Sequence, residues 1–222
     1  MFLQKIIKNK EKIVIVDFGS QVTKLIARRI RELNIYCEVV NLKNFEKIHN
    51  FKEIKGIILS GGPSTVIGKS FPKISTKLFL KNIPILGVCY GLQLIAKLFG
   101  GKIKKEKKNR EFGKVILIEK AKSKLTKNFF IKKKSVVWMS HQDAVIKMPK
   151  HFKNIASTNA SKFTIIQHKY KSIYGIQFHP EVTHTEFGFK LIKNFVENIC
   201  KAKKNWVMKH EKNRIIKDLK TK

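Results

Sequence analysis

Apolar residues recur along this chain in two alternating periods. Residues 12–17 form a run rich in β-branched side chains that stops at Gly19, and residues 22–33 then repeat apolar positions at helical spacing. A strand followed by a helix is expected. Residues 36–42 alternate as a second strand, and residues 56–59 are a continuous apolar run ending in the turn Ser60-Gly61-Gly62-Pro63. Residues 83–88 predict another buried strand, and residues 90–99 carry Leu92, Leu94, Ile95, Leu98 and Phe99 on a helical stripe closed by Gly100-Gly101. Strands alternating with helices predict an α/β domain with a central, mostly parallel sheet covered by helices on both faces.

Beyond about residue 102 the pattern becomes strand-rich, with pieces at 115–119, 136–139, 155–157, 163–168 and 172–178, before residues 187–200 close as an amphipathic helix. The expected organisation is an N-terminal extension over 1–11, one domain over 12–200 and a basic tail, linker or docking segment over 201–222. No apolar run approaches the roughly 18 residues needed to span a bilayer, and no small-residue cleavage site follows the start, so a cytoplasmic protein without a membrane partner is expected.

Composition changes this picture little. The 222 residues, 43% hydrophobic and 10% aromatic, suffice for one core and exclude wholesale disorder. The 48 basic residues against 15 acidic ones give a net charge of +33, which raises nucleic acid as a partner. Only five of them are Arg, however (Arg28, Arg29, Arg31, Arg110 and Arg214), and the lysines are scattered. Lys, Asn, Ile and Phe all have A/T-rich codons, so compositional bias accounts for the excess, and no specific nucleic-acid partner is expected. Cys37, Cys89 and Cys200 fit neither a disulfide framework nor a zinc pattern, and no metal site is expected.

One of these thiols stands in a chemically suggestive place. Gly87-Val88-Cys89-Tyr90-Gly91 runs from a buried strand into a helix with glycines two residues on either side of Cys89, the spacing of a nucleophile elbow. A helix N-terminus favours the thiolate and offers backbone N–H groups to an oxyanion. The spacing alone leaves a nucleophile and a buried structural cysteine both open. A nucleophile needs a base and the base an orienting group; residues 174–181 (YGIQFHPE) supply both, an alternating strand delivering His179 and Pro180 turning Glu181 back towards the imidazole. His49, His151, His168 and His210 lack such a context and read as surface residues. The glycines of the 60–63 turn let backbone amides approach a reacting carbonyl, or simply make a strand-end turn.

GVCYGLQ at 87–93 together with GIQFHPEVTHT at 175–185 resembles the class I (triad) glutamine amidotransferases. Four further stretches are similar to the amidotransferase part of GMP synthases: VDFGSQ at 16–21, GIILSGGPS at 56–64, REFG at 110–113 and VWMSHQD at 137–143. The similarity covers roughly residues 12–205. It implies a flavodoxin-like α/β fold, Cys89 as nucleophile, His179 as general base and acid, Glu181 as its orienting carboxylate, and main-chain N–H groups of Gly62 and Tyr90 as the oxyanion hole. Gly61, Gln93 and the segment Ser140, His141, Gln142 and Asp143 are implied to hold glutamine. Arg110, Glu111, Thr183 and His184 are implied contacts to a synthetase part, with His141 and Asp143 near the same strand ends. Position 142 is Gln where many relatives have Gly, which bears on affinity more than on chemistry.

The resemblance implies no cofactor for glutamine hydrolysis, with ATP and Mg2+ used by the synthetase that aminates XMP, and any homo-oligomer formed through that part. No SGG-x-D-S loop of an ATP-pyrophosphatase follows residue 205. Either the synthetase is a separate polypeptide or the frame is truncated, and the sequence leaves both open. Three other readings stand as alternatives. The first is an amidotransferase serving another synthase (anthranilate, aminodeoxychorismate or carbamoyl phosphate). The second is a γ-glutamyl peptidase, and the third a non-catalytic basic protein binding RNA or a membrane on the same scaffold.

Overall fold

The computed structural model describes residues 10–68, 70–105 and 111–207. Nine strands form one sheet in the order β2-β1-β3-β4-β11-β10-β9-β6-β7. Its strands are β1 (Lys12–Asp17), β2 (Cys37–Asn41), β3 (Ile54–Leu59), β4 (Ile85–Val88), β6 (Glu111–Glu119), β7 (Lys134–His141), β9 (Phe152–Ser157), β10 (Ile165–His168) and β11 (Ile173–Ile176). The block from β2 to β11, which contains the sheet's centre, is parallel throughout. From β11 outward the pairing is antiparallel. A separate ribbon pairs β5 (Lys102–Lys105) with β8 (Asp143–Lys147).

The continuous apolar runs are explained by burial on both faces. Along β1, Ile13 and Ile15 join a core with Ile26 and Ile30 of helix α1 (Thr23–Glu32) and with Leu191 of α4 (Gly188–Lys193). Val14 and Val16 point the other way, into a core with Leu92, Leu94 and Ile95 of α3 (Tyr90–Leu98). Between α1 and α3 in the chain lie the short α2 (Leu42–Glu46), capped by Asn41, whose side chain accepts from the Asn44 amide, and a 3-10 turn over Thr76–Leu80. Helix α3 is buried over most of its length, between the sheet and the β5–β8 ribbon.

The structure corrects several expectations. The single closing helix is α4 followed by a π-helical stretch, Asn194–Ile199, in which the Asn194 side chain donates to the carbonyls of Leu125 and Lys127. The segment after residue 200 does not leave the body at once. Asn205 donates to the Glu11 carbonyl and accepts from the Tyr36 amide, the Trp206 amide donates to the Asn34 carbonyl, and the Trp206 ring is buried beneath Arg31. The domain thus extends at least to Trp206. His49 and His151 are exposed as expected, but His168 is buried, its Nδ1 accepting from the amides of Tyr170 and Lys171; His210 lies outside the described residues. Among the described residues no helix is long and apolar enough to cross a membrane.

Candidate active site

Cys89 links β4 to α3 as the N-cap residue of the helix, with φ +52° and ψ −103°, a left-handed backbone that a side-chain-bearing residue adopts only under strain. The strain is held by its surroundings. The Cys89 amide donates to the Ile176 carbonyl at 2.8 Å, and its carbonyl accepts from the Gln93 amide at 3.2 Å. The flanking glycines let the backbones close up: a Cβ on Gly87 would lie 2.4 Å from the Gly91 carbonyl carbon, and one on Gly91 would lie 2.2 Å from the Leu59 carbonyl oxygen. Either would be an overlap with main chain.

His179 follows β11, and its main chain is clamped. Its amide donates to the Trp138 carbonyl, and its carbonyl accepts from the Thr185 hydroxyl at 2.6 Å. That hydroxyl also accepts from the Trp138 amide. The ring Nδ1 donates to Glu181 Oε1 at 2.8 Å, and Cys89 is close enough to act on the ring's protonation. Glu181 is fully buried, with its backbone carbonyl held by Arg29 Nε at 3.1 Å. Burial, the largest influence on the imidazole, favours its neutral form. The hydrogen bonds and negative charges of Cys89 and Glu181 outweigh it and raise the pKa to about 10. His179 and Glu181 therefore form a hydrogen-bonded pair, and His179 shares the wall of one cavity with Cys89.

The sulfur faces two cavities. One, of about 480 Å³, is lined by residues 62–65, Cys89, Tyr90, Gln93, Phe112 and residues 140–143. The other, of about 430 Å³, includes Ser20, Gly62, Cys89, Ser140 and His179. The Gly62 amide has no hydrogen-bond partner among the described residues, and the Tyr90 amide is the first of α3, where no intrahelical acceptor exists. Both belong to residues lining the cavity that Cys89 enters. Gly61 lies against His179, so close that a Cβ there would be 3.5 Å from the ring Cε1.

The remaining predicted residues divide. Ser140 lines both cavities and its carbonyl accepts from the Cys89 thiol at 3.9 Å; Gln142 is exposed on the larger cavity. Gln93 is buried and donates to the Asp143 carbonyl at 2.9 Å, and the Asp143 carboxylate accepts from Thr65. The His141 ring is turned inward, with Nδ1 donating to the Asp143 carbonyl and Nε2 3.4 Å from Glu111. Glu111 is correspondingly buried and presents no surface to a partner, contrary to expectation. Thr183 and His184 are exposed, His184 lying on the Trp138 ring at 4.5 Å, while Arg110 lies outside the described residues. Three residues of the site carry no role that the sequence alone suggests: Arg29, Thr185 and Gln177, whose buried amide donates to Cys89 Sγ at 3.6 Å. The only signal for the last two is their place within the 175–185 motif. Among the described residues no cluster of three or more His, Cys, Asp or Glu could hold a metal ion.

The sequence matches the family described as glutamine amidotransferase class-I over residues 14–199. It is 48% identical over 213 residues to a GMP synthase [glutamine-hydrolyzing] of Fusobacterium nucleatum, covering 95% of this chain and 41% of that protein. It is 47% identical over 201 residues to the corresponding protein of Brachyspira hyodysenteriae, covering 90% of this chain and 38% of that one. The chain thus spans about two fifths of the length of these curated relatives. Among solved structures, a protein from Thermoplasma acidophilum described as one subunit of a GMP synthase superposes with a TM-score of 0.70 at 32% identity, over 86% of this chain and 94% of that one.

Proposed function

Since this chain belongs to the class I glutamine amidotransferases, we propose that it is the glutamine-hydrolysing part of a GMP synthase, releasing ammonia for a synthetase part that aminates XMP with ATP. The observation that carries this reading is the hydrogen-bonded pair His179–Glu181 gathered with Cys89 at one site, the sulfur in the wall of a 480 Å³ cavity.

The chemistry follows from the geometry. With the thiol proton already held on the ring nitrogen of His179 not taken by Glu181, the Cys89 thiolate attacks the side-chain amide carbon of glutamine. Negative charge develops on the amide oxygen, where the Gly62 and Tyr90 amides stabilise it at the positive end of α3. Collapse of this intermediate breaks the C–N bond as His179 returns its proton to the departing nitrogen, giving ammonia and a thioester. Water, deprotonated by His179, then hydrolyses the thioester to glutamate and restores the thiol. Gln93 and the main chain of residues 140–143 hold the amino-acid end of the substrate. Nucleophile, base and oxyanion donors are all protein groups, so the hydrolysis calls on no cofactor; ATP and Mg2+ serve the synthetase part.

Exposed Thr183 and His184, the latter lying on Trp138 in the wall of the smaller cavity, are the proposed contacts to that part. Self-association, where it occurs, runs through the synthetase, and the location is cytoplasmic. The test is glutamate release by the wild type and by Cys89→Ala, with and without the synthetase part, XMP and ATP. Loss in the variant and stimulation of the wild type by the full mixture are expected. Release that survives the substitution overturns the reading.

A further inference from the structure

The mechanism above leaves one buried polar side chain against the sulfur unexplained. Gln177, only 1% exposed, follows the last residue of β11. Alternation along the strand puts it on the same face as Ile173 and Gly175, the face against α3, whereas Tyr174, Ile176 and Phe178 belong to the opposite core. On the α3 side its amide meets two groups. Its Nε2 donates to Cys89 Sγ at 3.6 Å, and its Oε1 accepts from Gln93 Nε2 at 3.5 Å.

The orientation of the Gln177 amide is dictated by its neighbours. Gln93 Nε2 is fixed as a donor because it also donates to the Asp143 carbonyl at 2.9 Å. A flipped Gln177 would set one NH2 group against another and aim an oxygen at the sulfur. The chain of donors therefore has one sense: Gln93 to Asp143 and to Gln177, and Gln177 to Cys89. A neutral thiol can satisfy itself by donating to the Ser140 carbonyl, which lies 3.9 Å from the sulfur. A thiolate cannot donate and needs donors, and in a buried site a hydrogen bond to the charged form is strengthened by the low local dielectric.

We propose that Gln177 is a further catalytic residue: its side-chain amide, aimed by Gln93, donates to Cys89 Sγ and selectively stabilises the thiolate, alongside His179. The same relay ties the nucleophile to the Asp143 main chain, at the wall of the cavity read as the glutamine site. Gln93 thus has two tasks, holding that wall and orienting the group that charges the sulfur. The inference rests on Cys89 being the nucleophile.

The experiment is the rate of Cys89 alkylation by iodoacetamide against pH, followed by peptide mass spectrometry on the full chain, in the wild type, Gln177→Met and Gln177→Glu. Met keeps the bulk and removes the donor; Glu keeps the acceptor for Gln93 and turns an oxygen towards the sulfur. Alkylation at neutral pH should fall roughly ten- to a hundredfold in both, consistent with a lost hydrogen bond to a charged group. The rise of rate with pH should move to higher pH. Glutamine binding, measured in a Cys89→Ala background, should change less than about threefold on adding Gln177→Met. Profiles superimposable on the wild type overturn the proposal. Should both variants fail to fold, the side-chain 15N–H2 resonances of Gln177 in the wild type decide: they should shift over the same pH range as the alkylation rate, and resonances that stay still overturn it. Alkylation needs no glutamine, so the two readings fail separately. Glutaminase activity surviving Cys89→Ala sinks the function, whereas activity lost with Cys89 and alkylation indifferent to Gln177 sink this inference alone.

Discussion

His179 and Glu181 are joined by a 2.8 Å hydrogen bond in which the ring Nδ1–H donates to a carboxylate removed from solvent. The bond leaves the other ring nitrogen for the thiol and helps raise the imidazole to about 10. The raised value belongs to the folded state. The stability it brings is therefore full below the unfolded imidazole's 6.5 and is lost as pH rises through about 10. Activity that needs the imidazolium should decline over the same alkaline range. Glu181→Gln removes the charge and lets burial pull the imidazole down. It should lower kcat for glutamate release roughly 10²- to 10⁴-fold and move the alkaline limb to lower pH, with KM nearly unchanged. A pH–rate profile of wild type and variant checks both effects.

The elbow depends on two missing methyl groups. Gly91→Ala places a Cβ 2.2 Å from a backbone oxygen of β3, which cannot swing aside. A loss of more than about 3 kcal/mol, or failure to fold, is expected, a large part of ordinary domain stability. Gly100→Ala meets no atom within 4 Å and suffers only from its φ of +79°, so about 1 kcal/mol is expected. Urea unfolding should separate the two.

Thr185 fastens the base to the sheet. Thr185→Val leaves the Trp138 amide and the His179 carbonyl without the hydroxyl they share, while Thr185→Ser keeps it. The valine variant should lose about 2 kcal/mol and roughly tenfold in kcat as His179 drifts; the serine variant should stay close to wild type in both. Denaturant midpoints and steady-state kinetics measure the pair.

His168 gives the fold an acid sensitivity unrelated to catalysis. Burial first, then Lys171 and His151, lower its pKa below the usual 6.5. Its Nδ1 must stay unprotonated to accept from two amides. The unfolded chain takes up a proton more readily, so this stabilisation is present above about 6.5 and is lost as pH falls below it. Melting temperatures taken from about pH 7.5 down to about pH 5, either side of the imidazole's ordinary value, should drop more steeply for the wild type than for His168→Asn.

Much of this is legible in the chain, for identifiable reasons. The Ile13–Val16 run announces a strand buried on both faces, and the glycine spacing around Cys89 announces a tight strand-to-helix turn, because both are local. Strands β5 and β8 escape a sequence reading, since Lys102–Lys105 and Asp143–Lys147 are only four and five residues long, the first mostly lysine, and exist by pairing with each other. His168 reads as a surface residue because a buried and a surface histidine look alike until Phe99 and Phe152 close over the ring. Gln177 sits inside the 175–185 motif without an evident role, as its meaning lies in Gln93 and the Cys89 sulfur, both distant in sequence, which it links. Glu111 reads as a partner contact because His141, which it actually meets, is brought to it only across the β6–β7 register.

The measurement closest to the central claim is covalent labelling by a diazo-ketone analogue of glutamine, mapped by peptide mass spectrometry with the synthetase part, XMP and ATP present. The account predicts an adduct on Cys89, suppressed by excess glutamine, and none on buried Cys37 or Cys200. No adduct under these conditions, or one on either of the other thiols in place of Cys89, would contradict it.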